Sequence, residues 1–356
     1  MDLQNKKVWI TTGGGIGDTI MFTPALRRLK EIYPSCHLTF MTRWPNHAVL
    51  RGLPYLDEVT YIRRGTLLGR WRVLPSFLRG QDAVFFTDWQ PQLLLFARVL
   101  SLPILPLSND FAPSLQYLLN TLSKYLTKAI RPHVFQSTDY AAETNAKVFS
   151  DALGITLDGD MTRPDIGSPT EEEHHYASQL LEQIGLKKDE PFFLLSPFAS
   201  LAQRNWPLNE ARDFVKRAEK IFGCPIVVIG SSENEKEAKE LSRFNLIGRT
   251  TVGELIDIIS RAALLVTPDS GPMHIAGALG TPVVPLFSKD LPSRWAPKYH
   301  CHPIYLDMDC SPCDDDMARN CPFSVKCMRD IRTDMVLDAA ERLLQGETAS
   351  LLKFRI

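Results

Sequence analysis

The sequence predicts an α/β protein made of two Rossmann-like domains, one following the other along the chain. Two observations carry this expectation. Short apolar strand patterns alternate with helix-period patterns in both halves, which is the grammar of a parallel sheet covered by helices. Each half also holds a strand that passes through a glycine-bearing turn into a helix, GGGIGD at residues 13–18 and PDSG at 268–271. With 356 residues, 44% of them hydrophobic and 23% charged, the chain is long and apolar enough for two cores.

In order, residues 6–12 read as a buried strand, Gly13, Gly14, Gly15 and Gly17 as the turn, and 19–32 as a helix. Strands are expected at 37–41, 59–62 and 83–87, with helical patterns between them. Residues 156–170 mix Pro, Gly and Asp without periodicity and read as a linker. Strands then follow at 192–196, 225–230, 264–268 and 282–287, with helices at 208–222, 233–243, 272–279 and, at the end, 328–344. The domains are therefore placed at 1–165 and 166–356, facing each other across a cleft at the carboxyl ends of their strands.

Forty Lys and Arg against 41 Asp and Glu leave a net charge of −1, so no basic field exists to hold nucleic acid by counterion release. The N-terminus lacks a charged segment followed by an apolar one, so no signal peptide is expected. The longest apolar stretch, 93–107, is broken by Arg98, Pro103 and Pro106 and falls short of the roughly 20 residues that span a bilayer. The expected location is the cytoplasm, free or peripheral at the cytoplasmic face of the inner membrane.

In GGGIGD the backbone of Gly15 and Gly17 can come close to a ligand, and Asp18 lands near the start of the following helix. A dinucleotide fingerprint is a poor fit, because the second strand ends Met41, Thr42, Arg43 instead of on an acid. Asp18 is either a general base that takes a proton from a hydroxyl or a carboxylate that caps the helix. In the second half, Asp269, Ser270 and Gly271 precede a helix with Pro272 in its first turn, an arrangement that suits a diphosphate. His274, one turn in, is either a phosphate ligand or a satisfied helix histidine.

Taken in order, GGGIGDTIMFTPALRRLKEIYP, LRGLPYLDEV, RNWP at 204–207 and TPDSGPMHIAGALGTPVVPLF resemble glycosyltransferase family 9, the lipopolysaccharide heptosyltransferases. The resemblance runs from about Lys6 to Leu344. It implies a GT-B fold and metal-independent, inverting transfer of a heptose from an ADP-sugar to a hydroxyl of the lipopolysaccharide inner core. Asp18 maps to the family's catalytic base, and Asp269, Ser270, Gly271, Met273 and His274 map to the motif that holds the nucleotide diphosphate. Arg204 takes the place of a lysine two residues before the Trp-Pro pair, where it would receive the leaving diphosphate through paired hydrogen bonds. Gly15, Gly17 and Ser196 complete the expected donor site. Glu233 and Glu235 both fit the family's ribose-binding glutamate, and a solvated helix face accounts for either equally well.

From residue 61 to 80 the chain carries Arg63, Arg64, Arg70, Arg72 and Arg79 among apolar residues and no acid. This suits an anionic glycolipid or phosphorylated saccharide acceptor, against the alternative of a helix with its arginines in water. Of seven cysteines, Cys36, Cys224 and Cys301 read as core or free thiols, whereas Cys310, Cys313, Cys321 and Cys327 fall in one segment. They supply the ligands of a closed, structural zinc or iron site. Asp307, Asp309 and the acids at 314–316 read as solvated. Family relatives that glycosylate autotransporter proteins carry a comparable cysteine finger, and on that likeness the acceptor is a protein hydroxyl instead. Two further alternatives are an NAD(P)-dependent nucleotide-sugar oxidoreductase and an inactive nucleotide-binding scaffold.

Overall fold

A computed structural model of the chain describes residues 1–12, 14–62, 80–86, 104–106, 139–313, 315–346 and 353–354. It divides into two compact units, Met1–Gly167 and Ser168–Ile356, each built on its own sheet.

In the first unit β1 (Lys7–Thr11), β2 (His37–Arg43), β3 (Glu58–Ile62), β4 (Ala83–Phe86) and β5 (Ile104–Pro106) form a parallel sheet of order β3-β2-β1-β4-β5. Central β1 buries Val8, Trp9 and Ile10, as a strand covered on both faces must. The strand order reverses at β1, so the glycine turn that follows it lies at the switch point where such sheets bind ligands. The expected 19–32 helix is two helices, Ile16–Met21 and Thr23–Ile32. Pro24 explains the break, since proline lacks an N–H and is tolerated only in a helix's first turn. Phe149, on the Ala141–Leu153 helix, packs against Phe85 and Phe22 with ring centroids 5.2 and 6.3 Å apart.

The stretch expected as a linker closes onto this unit instead. Asp165 N–H donates to Thr23 Oγ1 at 2.8 Å, and its carboxylate accepts from Arg27 at 2.6 Å and from the Tyr55 hydroxyl at 2.9 Å. Gly167 N–H then reaches the Val49 carbonyl at 2.7 Å. Side chains remote in sequence order this stretch where local periodicity does not.

In the second unit β6 (Phe193–Leu195), β7 (Ile226–Val228), β8 (Leu264–Pro268), β9 (Val283–Phe287), β10 (Ile304–Leu306) and β11 (Lys353–Phe354) run parallel in the order β11-β10-β9-β8-β6-β7. The switch point here lies between β6 and β8, the strands that lead into Ser196 and Asp269. The Leu208–Phe222 helix buries Ala211, Phe214, Val215 and Ala218, a 3.6-period stripe against the core. Trp206 is fully buried, stacks edge-on to Phe214 and donates its indole N–H to the Ile331 carbonyl at 2.9 Å. Truncating such a side chain costs about 3–5 kcal/mol.

That bond bears on a second correction. The expected 328–344 helix is split into Lys326–Arg329 and Thr333–Leu344, because Ile331 is drawn to Trp206 and Thr333 donates to buried Glu210 at 2.8 Å. The expected 233–243 helix is likewise only Glu235–Ala238, since Asn245 Nδ2 donates to the Ala238 carbonyl and Ser242 Oγ to the Ile226 carbonyl. Among the helices beyond those expected, Glu171–Gln183 and Val252–Arg261 open on Thr170-x-x-Glu173 and Thr251-x-x-Glu254 capping boxes.

Candidate functional site

The first group of site residues lies beyond β1. Gly15 is the N-cap of the Ile16–Met21 helix, and its N–H donates to Asp18 Oδ2 at 2.7 Å. The capping arrangement weighed from the sequence is thus realised, and it fixes the half-buried Asp18 carboxylate over the turn. Gly14 must be glycine for this packing. A Cβ there would lie 2.5 Å from Asp18 Cβ and 2.6 Å from its Cγ. Buried Asn46, which no motif singles out, donates from Nδ2 to the Gly14 carbonyl at 3.1 Å and ties the turn to the end of β2.

The second group lies beyond β6 and β8. Ser270 is the N-cap of the Gly271–Leu279 helix, with Pro272 in the first turn. Its hydroxyl pairs with Thr267 Oγ1 at 2.9 Å instead of capping the helix. Pro272 has no N–H and Met273 N–H bonds the Ser270 carbonyl at 3.1 Å, so the turn offers the Gly271 N–H and the positive end of the helix dipole to the region beyond β8. Ser196 is buried at the end of β6, its N–H bonded to the Val266 carbonyl at 2.9 Å. Met273 is wholly buried beneath the turn, so its contribution is packing.

Arg204 reaches this turn from the loop before the Leu208–Phe222 helix. The loop is pinned by Trp206, whose N–H donates to the Pro197 carbonyl at 2.9 Å, and by Asn205, which accepts from Ala199 N–H at 2.8 Å. Arg204 Nη1 meets the Asp269 carboxylate at 3.2 Å and its carbonyl at 3.1 Å, and Nη2 meets the Asp290 carboxylate at 2.5 Å. His274 Nε2 stands 3.9 Å from Asp269, and the His274 ring lies edge-on to Trp295. Burial, and then the Arg204 charge, pushes His274 down to about 3, so it is a neutral imidazole at physiological pH. Among the described residues, buried His274 Nδ1 and Arg204 Nε have no hydrogen-bond partner. Each such orphan costs about 1–3 kcal/mol, an expense typical of a site shaped for a ligand.

Arg204, Asp269, Ser270, Gly271, Met273 and His274 are thus assembled in one place. Glu233 and Glu235 are exposed beyond β7. Arg63, Arg64, Arg70 and Arg72 lie outside the described residues. Asp290 is a member of the site that the sequence motifs do not mark. A carboxylate shortly beyond the end of β9 was the available signal, since every ligand-facing turn of this unit follows a strand end.

Cys310, Cys313, Cys321 and Cys327 are all half-buried free thiols. Burial pushes Cys327 up to about 11, with the charges of Cys310, Cys313 and Cys321 adding to the shift. Burial also raises Cys313, again with Cys310 and Cys321 adding. The four are therefore within electrostatic reach of one another, although among the described residues no three His, Cys, Asp or Glu side chains are drawn close enough to grip a metal ion. Val325 N–H donates to Cys321 Sγ at 3.4 Å.

Among known proteins, the chain is 23% identical over 304 residues to the lipopolysaccharide core heptosyltransferase OpsX of Haemophilus influenzae, covering 82% of each. Its fold is similar to the crystal structure of a glycosyl transferase family 9 protein from Veillonella parvula, with a TM-score of 0.81, 21% identity and coverage of 98% of this chain and 99% of that one. It is also similar to E. coli ADP-heptose lipopolysaccharide heptosyltransferase II, with a TM-score of 0.73, 20% identity and coverage of 96% and 100%. The fold is of the GT-B type. Residues 117–323, more than half of the chain, match the family described as Glycosyltransferase family 9 (heptosyltransferase), so the chain belongs to this family and is a glycosyltransferase.

Proposed function

We propose that the enzyme transfers a heptosyl group from ADP-heptose to a hydroxyl of the lipopolysaccharide inner core, with inversion at the anomeric carbon. The observation that carries this reading is the likeness to a lipopolysaccharide core heptosyltransferase over most of both chains. In the step, the acceptor oxygen bonds to the anomeric carbon as the bond from that carbon to the diphosphate oxygen breaks. Asp18 takes the hydroxyl proton, and ADP leaves with the electron pair. One displacement inverts the configuration.

The residues around Asp269 suit the donor. The first turn of the Gly271–Leu279 helix offers the Gly271 N–H and the positive end of its dipole to the diphosphate, and Arg204 adds the charge that meets the growing negative charge on the leaving oxygen. These groups do electrostatically what a divalent ion does in other transferases, so the chemistry needs no catalytic metal in this reading. His274, neutral, donates one hydrogen bond without adding charge. Glu233 or Glu235 would bind the ribose, and Arg63, Arg64, Arg70 and Arg72 the anionic glycolipid, which brings the enzyme to the cytoplasmic face of the inner membrane. Among the described residues no helix is long and apolar enough to cross a membrane.

The cysteine segment fits a structural metal by donor chemistry. The charges of Cys310, Cys313 and Cys321 act on Cys327, and a bound cation would offset the burial that keeps Cys313 and Cys327 protonated. Cys310, Cys313, Cys321 and Cys327 would hold one zinc or iron ion, closing the site to substrate.

Asp18→Asn tests the assignment of the base. The amide keeps the size of the side chain but cannot take the proton, so ADP affinity should persist while turnover falls by about 10²–10⁴. Near-normal turnover would leave Asp18 as a helix cap alone.

A further inference from the structure

Asp290 lies just beyond β9, and its Oδ2 accepts from Arg204 Nη2 at 2.5 Å. Asp269 holds the other end of the same guanidinium, through Oδ2 at 3.2 Å and its backbone carbonyl at 3.1 Å. Two carboxylates therefore grip one planar group at both ends and fix its orientation. Lys289 Nζ stands 3.4 Å from each Asp290 oxygen and shares that charge. The turn that carries Asp290 is held in place by the cysteine segment. The Ser311 hydroxyl donates to the Ser288 carbonyl, Cys313 N–H donates to the Lys289 carbonyl at 3.0 Å, and the Tyr305 hydroxyl secures Ser311 Oγ at 3.1 Å.

We propose that Asp290 is a positioning residue for Arg204, and that the Ser311–Cys313 turn braces it, linking the cysteine segment to the reacting diphosphate. The proposal rests on the reading of Arg204 as the cation that receives the leaving diphosphate. A free arginine side chain samples many rotamers, and charge stabilisation in a transition state is strongest when the donor needs no reorganisation. Asp290 has a second, opposing effect: its charge repels an anionic donor in the ground state. Removing it therefore changes donor binding little, because lost alignment and lost repulsion offset each other. It lowers turnover, because charge on the leaving oxygen grows toward the transition state and only an aligned guanidinium meets it.

The test is a kinetic cycle on the full-length enzyme with ADP-heptose and a lipopolysaccharide acceptor, using Arg204→Ala, Asp290→Ala and the double variant, with melting temperatures recorded for each. Asp290→Ala should lower kcat about tenfold, less than the roughly 10²–10³ cost of losing a direct donor, with the donor KM within about threefold of normal. In the Arg204→Ala background it should cost no further kcat, since the alignment that Asp290 supplies is lost with the guanidinium and only its repulsion of the donor remains to be relieved. A normal kcat in Asp290→Ala, or the same fractional loss in both backgrounds, overturns the proposal. If Arg204→Ala itself changes neither kcat nor donor KM, the reading of Arg204 has failed and the proposal falls with it. Should Asp290→Ala melt early, Asp290→Asn carries the same comparison. Ser311→Ala should lower kcat by a smaller factor at an unchanged melting temperature, and a normal kcat there removes the bracing role.

Discussion

At the scale of single residues, the glycine turn shows how one position serves two ends. Gly14 has no side chain because the Asp18 carboxylate lies over it, and that carboxylate both caps a helix and, in the proposed reaction, takes a proton. Motif spacing picked out Asp18, Asp269 and His274, each close in sequence to a strand end, and the family resemblance picked out Arg204 beside its Trp-Pro pair. It did not pick out Asp290 or Asn46, whose roles exist only through partners 86 and 32 residues away. His274 yields a prediction with a definite sign. Its pKa falls from 6.5 to about 3 in the folded protein, so below pH 6.5 the unfolded chain binds a proton that the folded chain refuses. Stability from this group is complete above pH 6.5 and declines as the pH falls toward 3. Between pH 6.5 and 5 the loss is about 2 kcal/mol. Urea unfolding at the two pH values should show His274→Gln losing less on acidification than the natural protein by about that amount, and equal losses would contradict the buried neutral state.

Among the elements, β1 to β4, β6 to β9 and the Leu208–Phe222 helix were legible because a continuous apolar run or a 3.6-period stripe is a local signal, whereas the apolar runs at β5, β10 and β11 are too short to carry one and these strands were missed. Breaks were harder. Pro24 marked one in the sequence, but the split between the Lys326–Arg329 and Thr333–Leu344 helices depends on Trp206 and Glu210, more than a hundred residues earlier. The cysteine segment belongs at this scale too. A closed four-thiolate site contributes to folding instead of chemistry, so Cys313→Ser should release metal and lower the melting temperature. Its kcat should fall no further than that of Asp290→Ala, because the segment braces the 288–290 turn through the Ser311 and Cys313 bonds. Elemental analysis of untagged protein decides the first part: about one zinc or iron per chain is expected, and well under one, with all four thiols freely titratable, contradicts the site.

For the whole molecule, the sequence marks two series of strands and helices, each with a ligand turn at its switch point, and both sheets have parallel order with those turns where expected. Function was legible to the level of the family because its motifs recur in order along the chain, and residues 117–323 match that family independently. The acceptor was less legible, since the residues proposed to recognise it are the arginines at 63, 64, 70 and 72, and charge interleaved with apolar residues suits lipid, phosphorylated sugar and protein alike. The most direct test is therefore the reaction itself: purified enzyme, ADP-heptose and heptose-deficient lipopolysaccharide, with EDTA present and the product analysed by mass and anomeric configuration. Addition of a single heptose, inverted relative to the donor and undiminished by the chelator, is expected. Retention of configuration, or transfer only to a protein acceptor, would contradict it.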